Sequence, residues 1–226
     1  MGRLVDLSHV IEEGMPVYPA IPPPAIGAVV DHEQSRERYD GKAEFFIGRF
    51  DLPGNTGTYL DAPFHRYREA ADLSAIELRR IVRLPGVLVD GEAGRGAVEI
   101  DLQPDVINGR AVLVRTGWDG QWGTDAYWQP GPFLSPRAVD LLIQGKAALV
   151  GVDFMNVDDT SDPSRPAHTR LLGAGVLLVE HLTGLDALPR DGFDFTAVPP
   201  RIVRGSSFPV RAFAEVPSEA NDRPVQ

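Results

Sequence analysis

The stretch Gly54–His65, GNTGTYLDAPFH, is the most unusual segment of this 226-residue chain, and the fold assignment rests on it. Its two glycines, its proline and its small side chains allow the backbone to come close to a neighbouring group. Asp61 and His65 stand four positions apart, and an aspartate near a histidine can orient the ring or share a metal ion with it. The residues alone are equally compatible with a turn and a short helix capped by Asp61, in which His65 is incidental.

A second candidate group lies downstream, where a carboxylate interrupts an apolar run. Glu180 directly follows the apolar residues Val176–Val179, and His168 precedes them by eight positions. A carboxylate at the end of a buried strand needs a cation or a donor to offset its desolvation. Glu180 is therefore predicted to be functional, although a strand that ends in solvent would explain it too. Several polar residues before His168 are interpreted as a turn near the site, with Asp153 in a structural role; they are Asp153, Asn156, Asp158, Asp159 and Asp162.

The remaining polar signals are weaker. His32 lies in a charged stretch that we expect to be a solvated loop, and His9 at the end of the first strand is expected to be structural. The segment Arg115–Trp118, RTGW, ends a strand with a cation, a hydroxyl and an indole. Arg115 and Trp118 are predicted to form a pocket wall, although a structural stack of the guanidinium on the indole would fit equally well.

Composition excludes several classes of function. The net charge of −10 and the pI near 4.9 disfavour nucleic acid as a partner. The absence of cysteine excludes disulfides, thiolate metal sites and a cysteine nucleophile. The chain lacks a Gly-x-Ser-x-Gly elbow, a Walker loop and a Gly-x-Gly-x-x-Gly motif, so we expect no nucleotide cofactor. Its apolar runs are too short to span a membrane and it begins without a secretory leader, so we expect a cytoplasmic protein that acts on a small molecule.

Hydrophobic periodicity predicts many strands and few helices. The predicted strands are Val5–Ser8, Phe45–Leu52, Gly86–Asp90, Val98–Leu102, Ala111–Thr116, Ala147–Phe154, Val176–Leu182, Phe195–Val198, Arg201–Val203 and Pro209–Val216. The predicted helices are Ser74–Val82, Ser135–Gly145 and Thr169–Leu172. This mixture indicates an α/β or α+β domain with a mixed sheet. We expect one domain over residues 1–216 and a polar tail over residues 217–226.

Together these segments resemble the cyclase family, which includes bacterial kynurenine formamidases, isatin hydrolase and trans-dienelactone hydrolase. The matching segments are Asp6–His9, Gly14–Pro19, Gly57–His65, Val114–Trp118, Gly151–Asp153, His168 with Glu180, and Phe208–Arg211. The resemblance implies an α/β fold of the swivelling β/α/β type, with a mixed sheet and a few flanking helices. It also implies assembly as a homodimer or homotetramer.

The family motif is His-x-Gly-Thr-His-x-Asp-x-Pro-x-His, in which the first two histidines and the aspartate bind a divalent metal and the last histidine moves protons. Asn55 and Tyr59 replace the two metal-binding histidines here, whereas Asp61 and His65 remain. The family's downstream histidine and glutamate match His168 and Glu180. The resemblance therefore implies a weakened first metal position and a second one formed by Asp61, His168 and Glu180. Zinc is possible there, but the harder donor set favours manganese or magnesium.

The resemblance implies a hydrolase of a small cyclic or aromatic amide, imide, formamide or lactone. Tyr18 and Asn55 would contact the substrate, His65 would act as acid and base, and the Tyr59 hydroxyl could stabilise an oxyanion. Because the two metal-binding histidines are replaced, a metal-free lyase, dehydratase or cyclase acting on an enolisable carbonyl compound is a second hypothesis. A third is an inactive binding or scaffold protein that has kept the fold.

Overall fold

The computed structural model describes residues 2–19, 21–92, 94 and 96–218. The strands in this part of the chain are β1 Arg3–Asp6, β2 Ala25–Val30, β3 Ile47–Asp51, β4 Tyr59–Asp61, β5 Leu84–Asp90, β6 Gly96–Val98, β7 Ala111–Arg115, β8 Pro132–Leu134, β9 Leu149–Val152, β10 Leu177–Glu180, β11 Asp191–Thr196, β12 Ser207–Pro209 and β13 Phe213–Val216. The α-helices are α1 His32–Arg38, α2 Pro104–Ile107, α3 Pro136–Gln144 and α4 Pro166–Gly173.

Nine strands form one mixed sheet in the order β1-β13-β11-β5-β7-β9-β10-β4-β12. The four central strands, β5, β7, β9 and β10, run parallel. The strands on either side of them pair in antiparallel fashion. A mixed sheet with a few flanking helices is the predicted α/β architecture, and it is confirmed. Two further pairs, β2 with β3 and β6 with β8, lie outside this sheet.

The central strands are buried on both faces, which explains their nearly continuous apolar sequences. In β7 the four residues from Ala111 to Val114 are all fully buried. Val112 and Val114 belong to the core cluster that also contains residues of α3 and α4, whereas Leu113 belongs to the cluster on the opposite face. The alternation of side chains along a strand thus contributes residues to two separate cores.

None of the helices described is long and apolar enough to cross a membrane.

Helix α3 confirms the strongest helical signal in the sequence. The Ser135 side chain caps it by accepting a hydrogen bond from the backbone N–H of Ala138, Pro136 occupies the first turn, and Gly145 ends it. Helix α4 begins at Pro166, three residues before its predicted start at Thr169. Proline is compatible with the first turn because its missing N–H would have no partner there. The earlier start places His168 inside the helix.

One helical prediction and one loop prediction are wrong. The segment 74–82 forms only a 3-10 turn at Leu78–Arg80. Leu78 is 65% exposed while Ile81 is buried, so these residues do not share the predicted apolar face. Conversely, the expected loop around His32 is helix α1, which begins with a capping box between Asp31 and Gln34.

Other boundaries differ from the sequence prediction. Residues 201–203 form no strand, whereas β2, β4, β8 and β12 were not predicted. The tyrosine, leucine and aspartate of the opening motif make up β4, a fully buried strand whose neighbours are β10 and β12. Most of the predicted tail, residues 219–226, lies outside the described residues. The division of the chain at residue 216 therefore stays a prediction.

Candidate active site

The candidate site lies where β4, β10 and β12 meet at one edge of the parallel strands. In the antiparallel pairing of β4 and β10, Tyr59 stands opposite Glu180. On the other side of β4, Ser207 of β12 stands opposite Asp61. Because directly opposed residues of antiparallel strands project to the same face, this register gathers four polar side chains. Helix α4 adds His168 from the connection between β9 and β10.

Three of these side chains form a buried cluster of possible metal ligands. The Nε2 atom of His168 lies 3.6 Å from Oδ2 of Asp61 and 3.6 Å from Oε1 of Glu180. One ligand atom from each residue lies within 4.8 Å of the other two. The site thus joins residues from positions 61, 168 and 180, which the sequence analysis predicted as one ligand set.

The cluster fits a divalent cation. The Oδ2 atom of Asp61 is buried and has no hydrogen-bond partner among the residues described. Burying an acceptor without a donor or a cation is costly, so this oxygen marks a place where a positive ligand would be stabilised. Two carboxylates and one imidazole are also suitable donors for manganese, magnesium or zinc. The three residues therefore form a candidate site for a divalent cation.

Asp158 orients His168 within the cluster. Its Oδ2 atom lies 2.7 Å from Nδ1 of His168, and its Oδ1 accepts a hydrogen bond from the backbone N–H of Ala167. This contact fixes the ring with Nε2 toward the other two ligands, as carboxylates commonly do for metal-binding histidines. Burial opposes the charged ring, but Glu180, Asp158 and Asp61 outweigh that effect and raise the pKa of His168 to about 10.

Tyr59 holds Glu180 in place. Its hydroxyl donates a short hydrogen bond to Oε2 of Glu180, while the backbone N–H of Val157 donates to Oε1 at 2.8 Å. Burial, followed by the negative charge of Glu180, raises the pKa of Tyr59 well above its usual value, so the phenol keeps its proton. Because the hydroxyl proton is already donated to Glu180, the oxyanion role predicted for Tyr59 does not fit this geometry. The geometry fits a role in which Tyr59 positions Glu180.

His65 belongs to a hydrogen-bonded chain that sequence reasoning missed. The hydroxyl of Ser207 donates to Oδ1 of Asp61, and Nδ1 of His65 lies 3.2 Å from the same hydroxyl oxygen. Since the serine proton is directed to Asp61, its oxygen accepts from Nδ1–H of His65, an assignment that follows from the network. Nε2 of His65 is then unprotonated. Burial lowers the pKa of His65 despite the opposing charge of Asp61, which favours the neutral ring.

A cavity of about 240 Å³ opens beside the cluster. Its walls combine aromatic, amide, cationic and cluster residues, namely Tyr18, Ile21, Asn55, Tyr59, His65, Arg66, Asn156, Arg165, His168 and Glu180. The cavity is smaller than the 300–1,000 Å³ that is typical of drug-sized ligands, so it suits a small molecule. Tyr18 and Asn55 both line the cavity, and their contact with a substrate stays a prediction.

Arg115 and Trp118 lie elsewhere. The guanidinium of Arg115 pairs with Asp90, its neighbour in the register of β5 and β7. The indole of Trp118 is buried in the core and donates to the backbone oxygen of Tyr127 at 3.2 Å. Neither lines the cavity, so their predicted place in the pocket wall is corrected. Asp153 accepts hydrogen bonds from the backbone of Thr116 and Gly117, in keeping with a structural role.

Comparison with known proteins points to one family. A family model described as "Putative cyclase" matches residues 5–159. Kynurenine formamidase from Erythrobacter litoralis is 26% identical over 217 residues, covering 93% of this chain and 92% of the relative. Isatin hydrolase from Roseibium aggregatum is 26% identical over 245 residues, covering 95% and 92%. The solved structure of isatin hydrolase A from Labrenzia aggregata, bound to benzyl benzoate, has a TM-score of 0.79 at 25% identity and covers 96% of this chain and 94% of that one.

Proposed function

The chain is a hydrolytic enzyme that belongs to the cyclase family, and from this premise we propose that it cleaves small aromatic or cyclic amides by attack of water. The proposed substrates include formamides and imides, and also lactones, which are the oxygen analogues of cyclic amides. The observation that carries the proposal is the buried cluster of Asp61, His168 and Glu180 at the wall of a small cavity. The formamidase and the isatin hydrolase among the relatives support an amide as the substrate class.

Asp61, His168 and Glu180 would hold the divalent metal. When bound, such an ion supplies Lewis acidity, which polarises a carbonyl group and lowers the pKa of water. Tyr59 and Val157 keep the Glu180 carboxylate oriented, and Asp158 keeps His168 oriented. These contacts hold the ligand atoms in place before the substrate binds, so that little reorganisation is needed during the reaction.

His65 would transfer the proton. Its neutral Nε2 accepts a proton from the attacking water as the new bond between oxygen and the carbonyl carbon forms. The same nitrogen then delivers that proton to the leaving nitrogen as the carbon–nitrogen bond breaks, which yields a carboxylic acid and an amine. Ser207 and Asp61 stabilise the imidazolium that exists between the two steps. Tyr18 and Asn55 would bind the body of the substrate in the cavity.

The test is a substrate panel with metal control. Formanilide, a cyclic imide and a lactone are incubated with protein purified without chelator, and products are followed by NMR. The metal content of the same sample is measured by elemental analysis. We expect hydrolysis of at least one amide, loss of activity after EDTA, and recovery on adding back manganese, zinc or magnesium. Protein that carries a metal yet cleaves no member of the panel would contradict the proposed substrate class.

A metal-free lyase, dehydratase or cyclase is the second candidate, and one observation favours it. His168 contacts three carboxylates, those of Asp61, Asp158 and Glu180. A protonated imidazole could therefore offset much of their charge without an ion. Activity that survives EDTA in protein free of metal would select this candidate.

Assembly as a homodimer or homotetramer and location in the cytoplasm stay expectations. Sedimentation would check the first and cell fractionation the second.

A further inference from the structure

Two arginines, Arg66 and Arg165, line the cavity, and one of them has donors without an acceptor. Arg165 lines the cavity together with His65 and Glu180. Among the residues described, it forms no ion pair. Seven other arginines do pair with carboxylates, namely Arg79, Arg83, Arg110, Arg115, Arg170, Arg190 and Arg211. The guanidinium of Arg66 is engaged by the hydroxyl of Thr169 and the carbonyl oxygen of Ser164, so Arg165 is the cavity arginine whose donors are left over.

The guanidinium of Arg165 has donors to spare. Its Nη1 atom is buried and has no hydrogen-bond partner within the described part of the chain. Its Nη2 atom donates one hydrogen to the hydroxyl of Tyr18 at 3.3 Å, which leaves the second hydrogen free. Both hydrogens of Nη1 and one of Nη2 therefore lack an acceptor in the protein, and together they have the geometry of the fork that matches the two oxygens of a carboxylate.

The backbone of Arg165 is held in an unfavourable conformation. Its φ of 48° and ψ of 61° lie in the left-handed region, which a residue with a Cβ rarely adopts. The hydroxyl of Thr169 donates to the Arg165 carbonyl oxygen at 2.7 Å, and Thr169 in turn accepts from the guanidinium of Arg66. Strained backbone that the surroundings hold in place is frequent at ligand sites. Here it belongs to a residue that lines the cavity.

We propose that Arg165 binds a carboxylate of the substrate, so that the preferred substrates are small amides that carry a carboxylate beside the cleaved group. This inference rests on the proposed function for the reaction, but the binding of an anion is separable from it. The cluster residues would face the amide carbonyl group, and Arg165 together with the ring of Tyr18 would orient the rest of the molecule. A planar fork selects a carboxylate over a neutral amide more strongly than a lysine could.

The test uses two matched pairs of ligands. Benzoate and benzamide are titrated by calorimetry, a readout that needs no turnover. 2-Formamidobenzoate and formanilide are compared as substrates. The variants are Arg165→Met, which keeps the length but removes the charge and the donors, Arg165→Lys, which keeps the charge but loses the fork, and Arg68→Met as a control at an exposed arginine outside the cavity wall.

We expect Arg165→Met to weaken benzoate binding about 30- to 100-fold, the loss typical of hydrogen bonds to a charged group, and to leave benzamide binding unchanged. Arg165→Lys should weaken benzoate binding less, and Arg68→Met should change neither ligand. In kinetics, kcat/KM for 2-formamidobenzoate should fall by a similar factor in Arg165→Met while that for formanilide stays constant.

Benzoate that binds Arg165→Met with wild-type affinity overturns the inference, and so does an equal loss for benzoate and benzamide. Absence of hydrolysis of both formamides by the wild type would instead count against the proposed function, since the benzoate titration would still report on Arg165. If Arg165→Met proves unstable by circular dichroism, Arg165→Lys alone tests the inference. Unchanged benzoate affinity in Arg165→Lys would contradict binding of the carboxylate by the two-pronged guanidinium.

Discussion

Tyr59 and Glu180 face each other across β4 and β10, and the phenol donates a hydrogen bond to the carboxylate at a buried site. In the family motif a metal-binding histidine occupies the tyrosine's position. The hydroxyl thus engages one oxygen of a carboxylate whose other oxygen belongs to the Asp61 and His168 cluster. This contact explains how the chain keeps the Glu180 carboxylate buried, because a neutral donor offsets part of its desolvation.

Replacing Tyr59 by phenylalanine tests this contact. The change leaves Oε2 of Glu180 buried without a donor, so the free energy of unfolding should fall by about 1–3 kcal/mol. Urea denaturation followed by circular dichroism measures the loss. The control is Tyr67→Phe, which removes a hydrogen bond to the Thr169 carbonyl at a more exposed site and should cost under about 0.5 kcal/mol. Equal losses in the two variants would contradict the special role of Tyr59.

Ser207 is expected to be a positioning residue for His65. Ser207→Ala breaks the chain from Nδ1 of His65 to Asp61 and allows the other ring tautomer, so kcat should fall roughly 10- to 100-fold with little change in KM. Steady-state kinetics on the best panel substrate provides the measurement. Ser161→Ala, in an exposed turn, is the control. An unchanged kcat in Ser207→Ala would remove the serine from the mechanism.

His65→Ala should abolish turnover while the protein stays folded. Loss of a general acid and base typically costs about 10²- to 10⁴-fold in rate. The ring is partly exposed at the cavity, so its removal should change the unfolding free energy little. His32→Ala, which removes an imidazole on α1 far along the sequence from the cluster, is the control. Retention of more than about a tenth of the activity, a loss smaller than the roughly 100-fold low end of general acid–base effects, would exclude His65 from proton transfer.

Metal binding should stabilise the fold through the cluster. At a free Mn²⁺ concentration about 100 times the dissociation constant, a ligand that binds only the folded state adds about 2.7 kcal/mol. Differential scanning fluorimetry of chelator-treated protein, with and without Mn²⁺, Zn²⁺ or Mg²⁺, should therefore show a rise in Tm. His168→Ala should lose the rise, whereas His32→Ala should keep it. A rise of the same size in His168→Ala would place the ion at another site.

His9 should make the fold sensitive to acid. Its ring stacks on Trp122 with 3.9 Å between ring centroids, and burial lowers its pKa to about 4 although Asp119 opposes the shift. Between pH 6.5 and 4 the unfolded chain binds a proton at His9 that the folded chain does not, so acid favours unfolding. Because the ring is only half-buried, the loss of stability across this range is discounted to on the order of 1 kcal/mol.

The measurement is urea denaturation of the wild type and of His9→Gln at several pH values. The free energy of unfolding of the wild type should fall more steeply than that of His9→Gln as the pH drops from 6.5 to 4. Because every other titrating group is common to the two proteins, their difference isolates His9. Parallel curves would show that the ring takes up its proton equally well in the folded state.

The sequence by itself predicted the mixed α/β sheet and marked Asp61 and Glu180 as polar signals, while the family resemblance added His168 to them. Continuous apolar runs indicated buried strands, the spacing of Asp61 and His65 marked a polar site, and Glu180 stood out because it ends such a run. These signals are local, since each depends on residues a few positions apart. The same local reasoning gave a wrong prediction for Arg115. Its guanidinium forms an ion pair with Asp90 on the neighbouring strand and is therefore not part of the pocket wall.

Only the tertiary structure decided which further side chains join the site. Ser207 stands 146 residues from Asp61 and becomes its partner through the register of β4 and β12. Arg165 resembles any surface arginine until the turn before α4 directs it to the cavity wall. The physical reason is that register and helix placement depend on packing of the whole sheet. The residues next to a serine or an arginine in the sequence do not indicate which side chains it will contact in the folded chain.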